Sequence, residues 1–187
     1  MSSDLKGKVA IITGASRGIG KAIAKTCAGL GINLSIAARG EGPLKETADE
    51  IVKDYKVQVL SVPTDVTKLE DLENLVNKTK EKFGKIDILI NNAGVSSQYP
   101  FEKQPFEDFE SLVHTNYLGY VRLMRLVIND MINNKSWAII NLVSGSTLCD
   151  PLPRNFLVYS SLKVGLRAFS KGLFWEMRDR GIKITSI

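Results

Sequence analysis

The sequence predicts a single α/β domain, spanning residues 1–187, built on one doubly wound parallel sheet with helices on both faces. Three observations lead there. Short apolar runs alternate with longer amphipathic stretches along the whole chain. The runs are rich in Val and Ile without polar alternation, the pattern of strands buried on both faces. Small, polar or glycine residues follow five successive runs. Such alternation implies βαβ units with right-handed crossovers. In open sheets of this kind a ligand lies beyond the carboxyl ends of the strands, near the switch in strand order.

The composition narrows the chemistry. With 187 residues, 44% apolar and 24% charged, the chain suits one well-cored domain. No apolar run reaches the roughly 18 to 20 residues of a membrane helix. The start, Met1-Ser2-Ser3-Asp4-Leu5-Lys6, lacks the apolar core of a signal peptide, so a cytoplasmic address is expected. Cys27 and Cys149 fit no metal or redox spacing and read as reduced thiols. His114 is the only histidine, which leaves proton chemistry to Tyr, Lys or carboxylates and argues against a metal site. The net charge is +5, but the cations are dispersed along helical segments, so nucleic-acid binding is not expected.

The elements follow in order. The first strand, Val9–Thr13, runs into Gly14-Ala15-Ser16-Arg17-Gly18-Ile19-Gly20 and a helix over 18–30. Gly14 allows a sharp turn, Gly18 a close approach to a pyrophosphate, and Gly20 tight helix–sheet packing. Backbone N–H groups and the helix dipole there favour an anion. The spacing differs from the general G-x-G-x-x-G fingerprint, and tight turns use glycine anyway. Its place between strand and helix is what makes it a cofactor loop. The second strand, Asn33–Ala38, ends at Arg39 with no acid before Glu41. An acid there would serve a ribose 2′-hydroxyl, whereas Arg39 with Arg17 suits a 2′-phosphate. NADP(H) is therefore expected over NAD(H).

A helix over 43–55 leads to a third strand over 57–62, followed by Thr64-Asp65-Val66. A helix over 68–83 leads to a fourth strand over 86–90, followed by Asn91-Asn92-Ala93-Gly94. A long helix over 105–131 carries Asn116 inside the stripe Phe109, Leu112, Val113, Tyr117, Tyr120, Val121, Met124. An amide on an apolar face needs buried partners. It either bridges to neighbouring backbone or holds a water in a proton path to Lys163.

The fifth strand, over 137–143, ends at Ser144-Gly145-Ser146, and a helix over 156–180 carries Tyr159-Ser160-Ser161-Leu162-Lys163. Residues i and i+4 share a helix face. A tyrosine with a pKa near 10 is a poor acid–base group at neutral pH unless a neighbouring ammonium stabilises its anion. Leu162, Val164 and Leu166 give Lys163 an apolar setting that strengthens such an effect. A surface Tyr–Lys pair is the plainer alternative. The sixth strand covers 182–187.

Taken together and in this order, these motifs resemble the short-chain dehydrogenases/reductases over about residues 6–187. The resemblance implies a Rossmann-type sheet of strand order 3-2-1-4-5-6. It makes Tyr159 the general acid–base residue, Lys163 the group that binds the nicotinamide ribose and lowers the tyrosine pKa, Ser144 the substrate-oxygen ligand, and Asn116 the anchor of a relay water. Gly14, Ser16, Arg17, Gly18, Ile19, Gly20, Arg39, Asp65, Val66, Asn91, Ala93 and Gly94 become cofactor contacts, with Tyr159 and Lys163, and Asn91, Ala93 and Gly94 would also support the central sheet. Ser144 stands two residues farther from Tyr159 than in many relatives, and Ser146, with the shorter spacing, is its rival.

The sequence ends inside what resembles the sixth strand. Family members continue into a Pro-Gly turn, a substrate lid and a seventh strand, so the C-terminal part of the fold is expected to be missing. Leu148, Leu152 and Phe156 suggest an apolar carbonyl or alcohol substrate. The helices over 105–131 and 156–180 resemble the family's dimer interface, which implies a homodimer, or a tetramer for a full-length chain. Two readings follow: an NADP(H)-dependent reductase or dehydrogenase, and a non-catalytic cofactor-binding or scaffold protein.

Overall fold

The computed structural model describes residues 4–134 and 138–187. Six parallel strands form one sheet in the order β3-β2-β1-β4-β5-β6. They are β1 (Val9–Thr13), β2 (Asn33–Ala38), β3 (Val59–Pro63), β4 (Ile88–Asn91), β5 (Ala138–Asn141) and β6 (Lys183–Ser186). The helices are α1 (Gly18–Gly29), α2 (Glu41–Asp54), α3 (Leu69–Phe83), α4 (Phe106–Val113), α5 (Gly119–Asn133) and α6 (Leu157–Met177). This is the doubly wound sheet expected from the sequence, and its strand order is the one implied by the resemblance.

Packing on both faces explains why the central strands are mostly apolar without period-two polar alternation. Ile11, Ala37, Leu89 and Ile139 enter one core with residues of α3, α5 and α6. Ala10, Ile12, Leu34, Ile36, Ile88 and Ile90 enter the other, against α1 and α2. Both faces are thus covered, so both sets of side chains must be apolar.

Several boundaries differ from the expectation, each for a local reason. Helix α2 starts at Glu41 rather than Pro43. Proline fits because the first helical N–H groups have no intrahelical partner. Strand β3 extends to Pro63 at the sheet edge, where a missing N–H interrupts no ladder. Trp137, expected to open the fifth strand, lies outside the described residues, and β5 is recorded from Ala138.

The largest correction concerns the helix expected over 105–131. It consists of α4 and α5 joined by a π turn, His114–Leu118, with Asn116 at its centre. Such single π turns occur frequently at functional sites. The helix expected over 156–180 similarly ends in a separate tight turn, Arg178–Arg180.

Candidate active site

Strand β1 lies between β2 and β4, so chain direction diverges at the ends of β1 and β4. A cleft of about 690 Å³ opens there. The Gly14–Gly20 loop, Arg39, Asp65, Val66 and the 92–95 loop line it. Thr13, 1% exposed, joins the two sides. Its Oγ1 accepts the Asn92 and Ala93 N–H groups, each at 3.0 Å. The Asn92 amide in turn donates to the carbonyls of Thr13 and Gly14 at 2.9 and 3.2 Å.

The glycine loop is shaped by these contacts. Gly14 has φ +68, and a Cβ there would lie 2.8 Å from Ala93 Cα. A Cβ on Gly20 would collide with the Gly14 carbonyl and the Asn92 amide. Gly18 differs: a Cβ would meet nothing within 4 Å, and its backbone borders the cleft. No side chain caps α1, and its first turn holds no acid. The positive helix end therefore faces the cleft without an internal counter-charge. The loop is fastened from behind by Thr47, whose hydroxyl donates to the Ser16 carbonyl at 3.2 Å. Ile19, 67% exposed, offers an apolar surface at the same helix end.

Farther along the cleft, Asp65 accepts the Thr67 N–H and hydroxyl at 3.0 and 2.8 Å. Partial burial pushes its carboxyl up, but the Thr67 bonds, with Arg39 and Lys68 nearby, outweigh this and hold it below its ordinary value. Arg39 and Arg17 are both exposed at the cleft.

The remaining candidates lie on adjoining elements. Ser144 precedes a tight turn, Gly145–Leu148, and its Oγ accepts the Ser146 N–H at 3.2 Å and the Ser146 hydroxyl at 3.0 Å. The two rival serines are therefore bonded to each other, with Ser144 as the acceptor. Lys163 is only 3% exposed, and its Nζ donates to the Leu142 carbonyl at 2.9 Å, two residues before Ser144. This burial excludes the surface-pair alternative for Lys163, and it pushes the ammonium down to about 8. Tyr159 is half-buried and meets Phe156 edge to face, with ring centres 6.4 Å apart.

Two candidates stand differently from their expected contacts. Asn91 does not line the cleft; its amide donates to Asn141 Oδ1 at 2.9 Å inside the sheet. The Asn116 amide accepts Val95 N–H at 3.0 Å and donates to Val95 C=O at 2.7 Å. The bridging alternative thus describes its side chain. It also explains Gly94, where a Cβ would approach Asn116 Oδ1 to 2.9 Å.

Thr13 and Asn92 escaped the sequence reading as site-building residues. Their role depends on β1 and β4 being neighbours, 79 residues apart in the chain, which only the strand order reveals. Tyr120 fits the apolar stripe in sequence, yet its hydroxyl lies 3.3 Å from Lys163 Nζ.

Ser144, Tyr159 and Lys163 do not line the cleft; a glycine-lined cleft at the switch point, with a buried lysine one turn from a tyrosine on α6, points to a nucleotide-dependent oxidoreductase class. Comparison with known proteins specifies the family. The family model for short chain dehydrogenases matches residues 8–187. An uncharacterized oxidoreductase of Staphylococcus saprophyticus is 36% identical over 98% of this chain and 78% of its own length. The structure of L-sorbose reductase from Gluconobacter frateurii, complexed with NADPH and L-sorbose, superposes with a TM-score of 0.91 at 33% identity, covering 97% of this chain and 68% of that one. That of an NAD+-bound xylitol dehydrogenase gives 0.92 at 26% identity, covering 98% and 70%. The chain belongs to the short-chain dehydrogenase family. Among the described residues, no helix is long and apolar enough to cross a membrane.

Proposed function

We propose that the protein is an NADP(H)-dependent reductase or dehydrogenase acting on a small carbonyl or alcohol, with Ser144, Tyr159, Lys163 and Asn116 as its working set. One observation carries the reading: a lysine almost fully withdrawn from water, held at the strand end that bears Ser144, one helical turn after Tyr159. Burying an ammonium has a substantial cost, and a surface lysine at this helix position would avoid it. The cleft fits a dinucleotide: its volume is ordinary for a cofactor site, its glycines admit close backbone approach, and α1 presents its positive end.

When bound, a nicotinamide cofactor supplies the hydride. The chain's own residues align the substrate and manage one proton. In reduction, Ser144 donates to the carbonyl oxygen while Tyr159 delivers its hydroxyl proton to the same atom. Ser146 assists because its hydroxyl donates to Ser144 Oγ, leaving the Ser144 hydrogen free to turn toward substrate. Lys163, fixed by Leu142, supports the negative charge that forms on Tyr159. The Asn116 side-chain amide, engaged by Val95, also holds the 94–95 loop in place. Arg17 and Arg39 serve the 2′-phosphate, and apolar Leu148, Leu152 and Phe156 on the substrate side suit an apolar compound.

The test is turnover of NADPH against a panel of apolar ketones and aldehydes. Tyr159→Phe is expected to lower kcat by about 10²-fold or more, because its general acid is gone. Full activity in that variant would sink the mechanism. Tight NADPH binding without turnover of any substrate would favour the non-catalytic alternative.

A further inference from the structure

Tyr120 is a buried phenol that the chemistry above does not use. It stands one turn past Asn116 on α5, 2% exposed, with its hydroxyl 3.3 Å from Lys163 Nζ. The same ammonium lies 4.7 Å from the centre of its ring. An ammonium has three N–H donors. Among the described residues, one is taken by Leu142 and one by Tyr120. We propose that Tyr120 is a positioning residue for Lys163: its phenol clamps the ammonium from the protein interior and leaves the third N–H for the site. The proposal rests on the reading of Lys163 as the partner of Tyr159.

The choice of side chain supports this. A leucine would fill the apolar stripe without burying a hydroxyl that then needs a partner. Lys163 is the partner that Tyr120 finds, and both ring and oxygen act on one cation. The phenol can also serve either protonation state, accepting from the ammonium or donating to the neutral amine. The charged bond is the stronger by about twofold, so the hydroxyl favours the ammonium and opposes the effect of burial. Tyr120 itself stays neutral, because burial and then the nearby Tyr159 hold its hydroxyl well above the ordinary range.

The elements packed against α6 carry other titratable groups: Glu107, Asp108 and Glu110 on α4, His114 and Tyr117 on the π turn, Lys183 on β6, and Arg178, Asp179 and Arg180 in the turn that follows the helix. Among the described residues, Lys163 bonds none of these; its partners are Leu142 and Tyr120.

Tyr120→Phe keeps the ring and removes the hydroxyl alone. Lys163 is titrated by NMR of isotopically labelled lysine side chains, its resonance assigned by its loss in Lys163→Met. The midpoint in Tyr120→Phe is expected to fall by about half to one unit. An unchanged or raised midpoint overturns the proposal. Tyr120→Met removes the ring as well and is expected to fall at least as far. A fall in Tyr120→Met with none in Tyr120→Phe would assign the effect to the ring and overturn the role of the hydroxyl. The titration needs no substrate, so it decides the role of Tyr120 even if turnover fails and the proposed function falls.

Discussion

Lys163 is a destabilising residue at neutral pH, and this follows from its position. Unfolded, its pKa is about 10.5; folded, burial lowers it to about 8. Below pH 8 both states are protonated and the native state bears the full cost of an ammonium withdrawn from water. Between about pH 8 and 10.5 the native state releases its proton while the unfolded state keeps it, so stability rises with pH. The shift corresponds to roughly 3 kcal/mol. Lys163→Met is therefore expected to be the more stable protein at pH 7, with its advantage shrinking toward pH 10. Chemical denaturation at both pH values checks this; a constant difference would show that burial does not govern the lysine. A smaller case of the same kind is Ser160, 0% exposed, whose hydroxyl has no hydrogen-bond partner among the described residues. Ser160→Ala removes an unsatisfied group and is expected to be neutral or stabilising by up to about 1 kcal/mol in the same assay. A loss above 1 kcal/mol would reveal a partner. Lys163 was legible because a titratable residue stood among Leu162, Val164 and Leu166. Its clamp was not, because Tyr120 fits an apolar stripe as well as it fits a lysine.

Elements cooperate through buried amides rather than through apolar contact alone. Asn91 on β4 donates to Asn141 on β5 at 2.9 Å, and the Asn141 amide donates to Ser170 on α6 at 2.9 Å. Ser170 closes the chain on the Leu166 carbonyl at 2.7 Å. All three residues are at most 2% exposed, so a broken link leaves partners that water cannot reach. Asn141→Ala is expected to cost about 2–3 kcal/mol, since it leaves the buried Asn91 amide without its acceptor and removes the bond to Ser170, which keeps only Leu166. The double variant Asn91→Ala/Asn141→Ala should cost less than the sum of the single changes. Strict additivity in denaturant unfolding would mean that the chain is not one unit. The sequence carries only part of this network: the resemblance lets Asn91 support the central sheet, but its partner Asn141 shows only in the pairing of β4 with β5. The strands themselves were readable because coverage on two faces forces a continuous apolar run. The π turn was not, since Asn116 keeps helical spacing with its neighbours and the widening shows only in the backbone.

At the scale of the whole molecule, the cleft joins parts of the chain that have little else in common, so a ligand that spans it should stabilise the fold as a unit. Its walls come from the ends of β1, β2, β3 and β4, and the π turn reaches it through Thr115. A cofactor that binds only the folded chain adds about 2.7 kcal/mol at a hundredfold its Kd. For a domain of this size that raises Tm by about 5–10 °C. NADPH is expected to give this rise and NADH, at equal concentration, a smaller one, because Arg17 and Arg39 stand exposed at the cleft and no acid follows β2 before Glu41. Arg39 also lies near Asp65, whose carboxylate draws part of its charge, so each arginine is asked to supply only a share of the preference. Removing both, in Arg17→Ala/Arg39→Ala, should lower the NADPH shift to the NADH level while leaving the NADH shift in place. Equal shifts for the two cofactors in the unaltered protein would refute the NADP preference without touching the family assignment. Gly14→Ala separates the cleft from the cations: a Cβ there presses on Ala93 and strains a positive φ, so both shifts should vanish together.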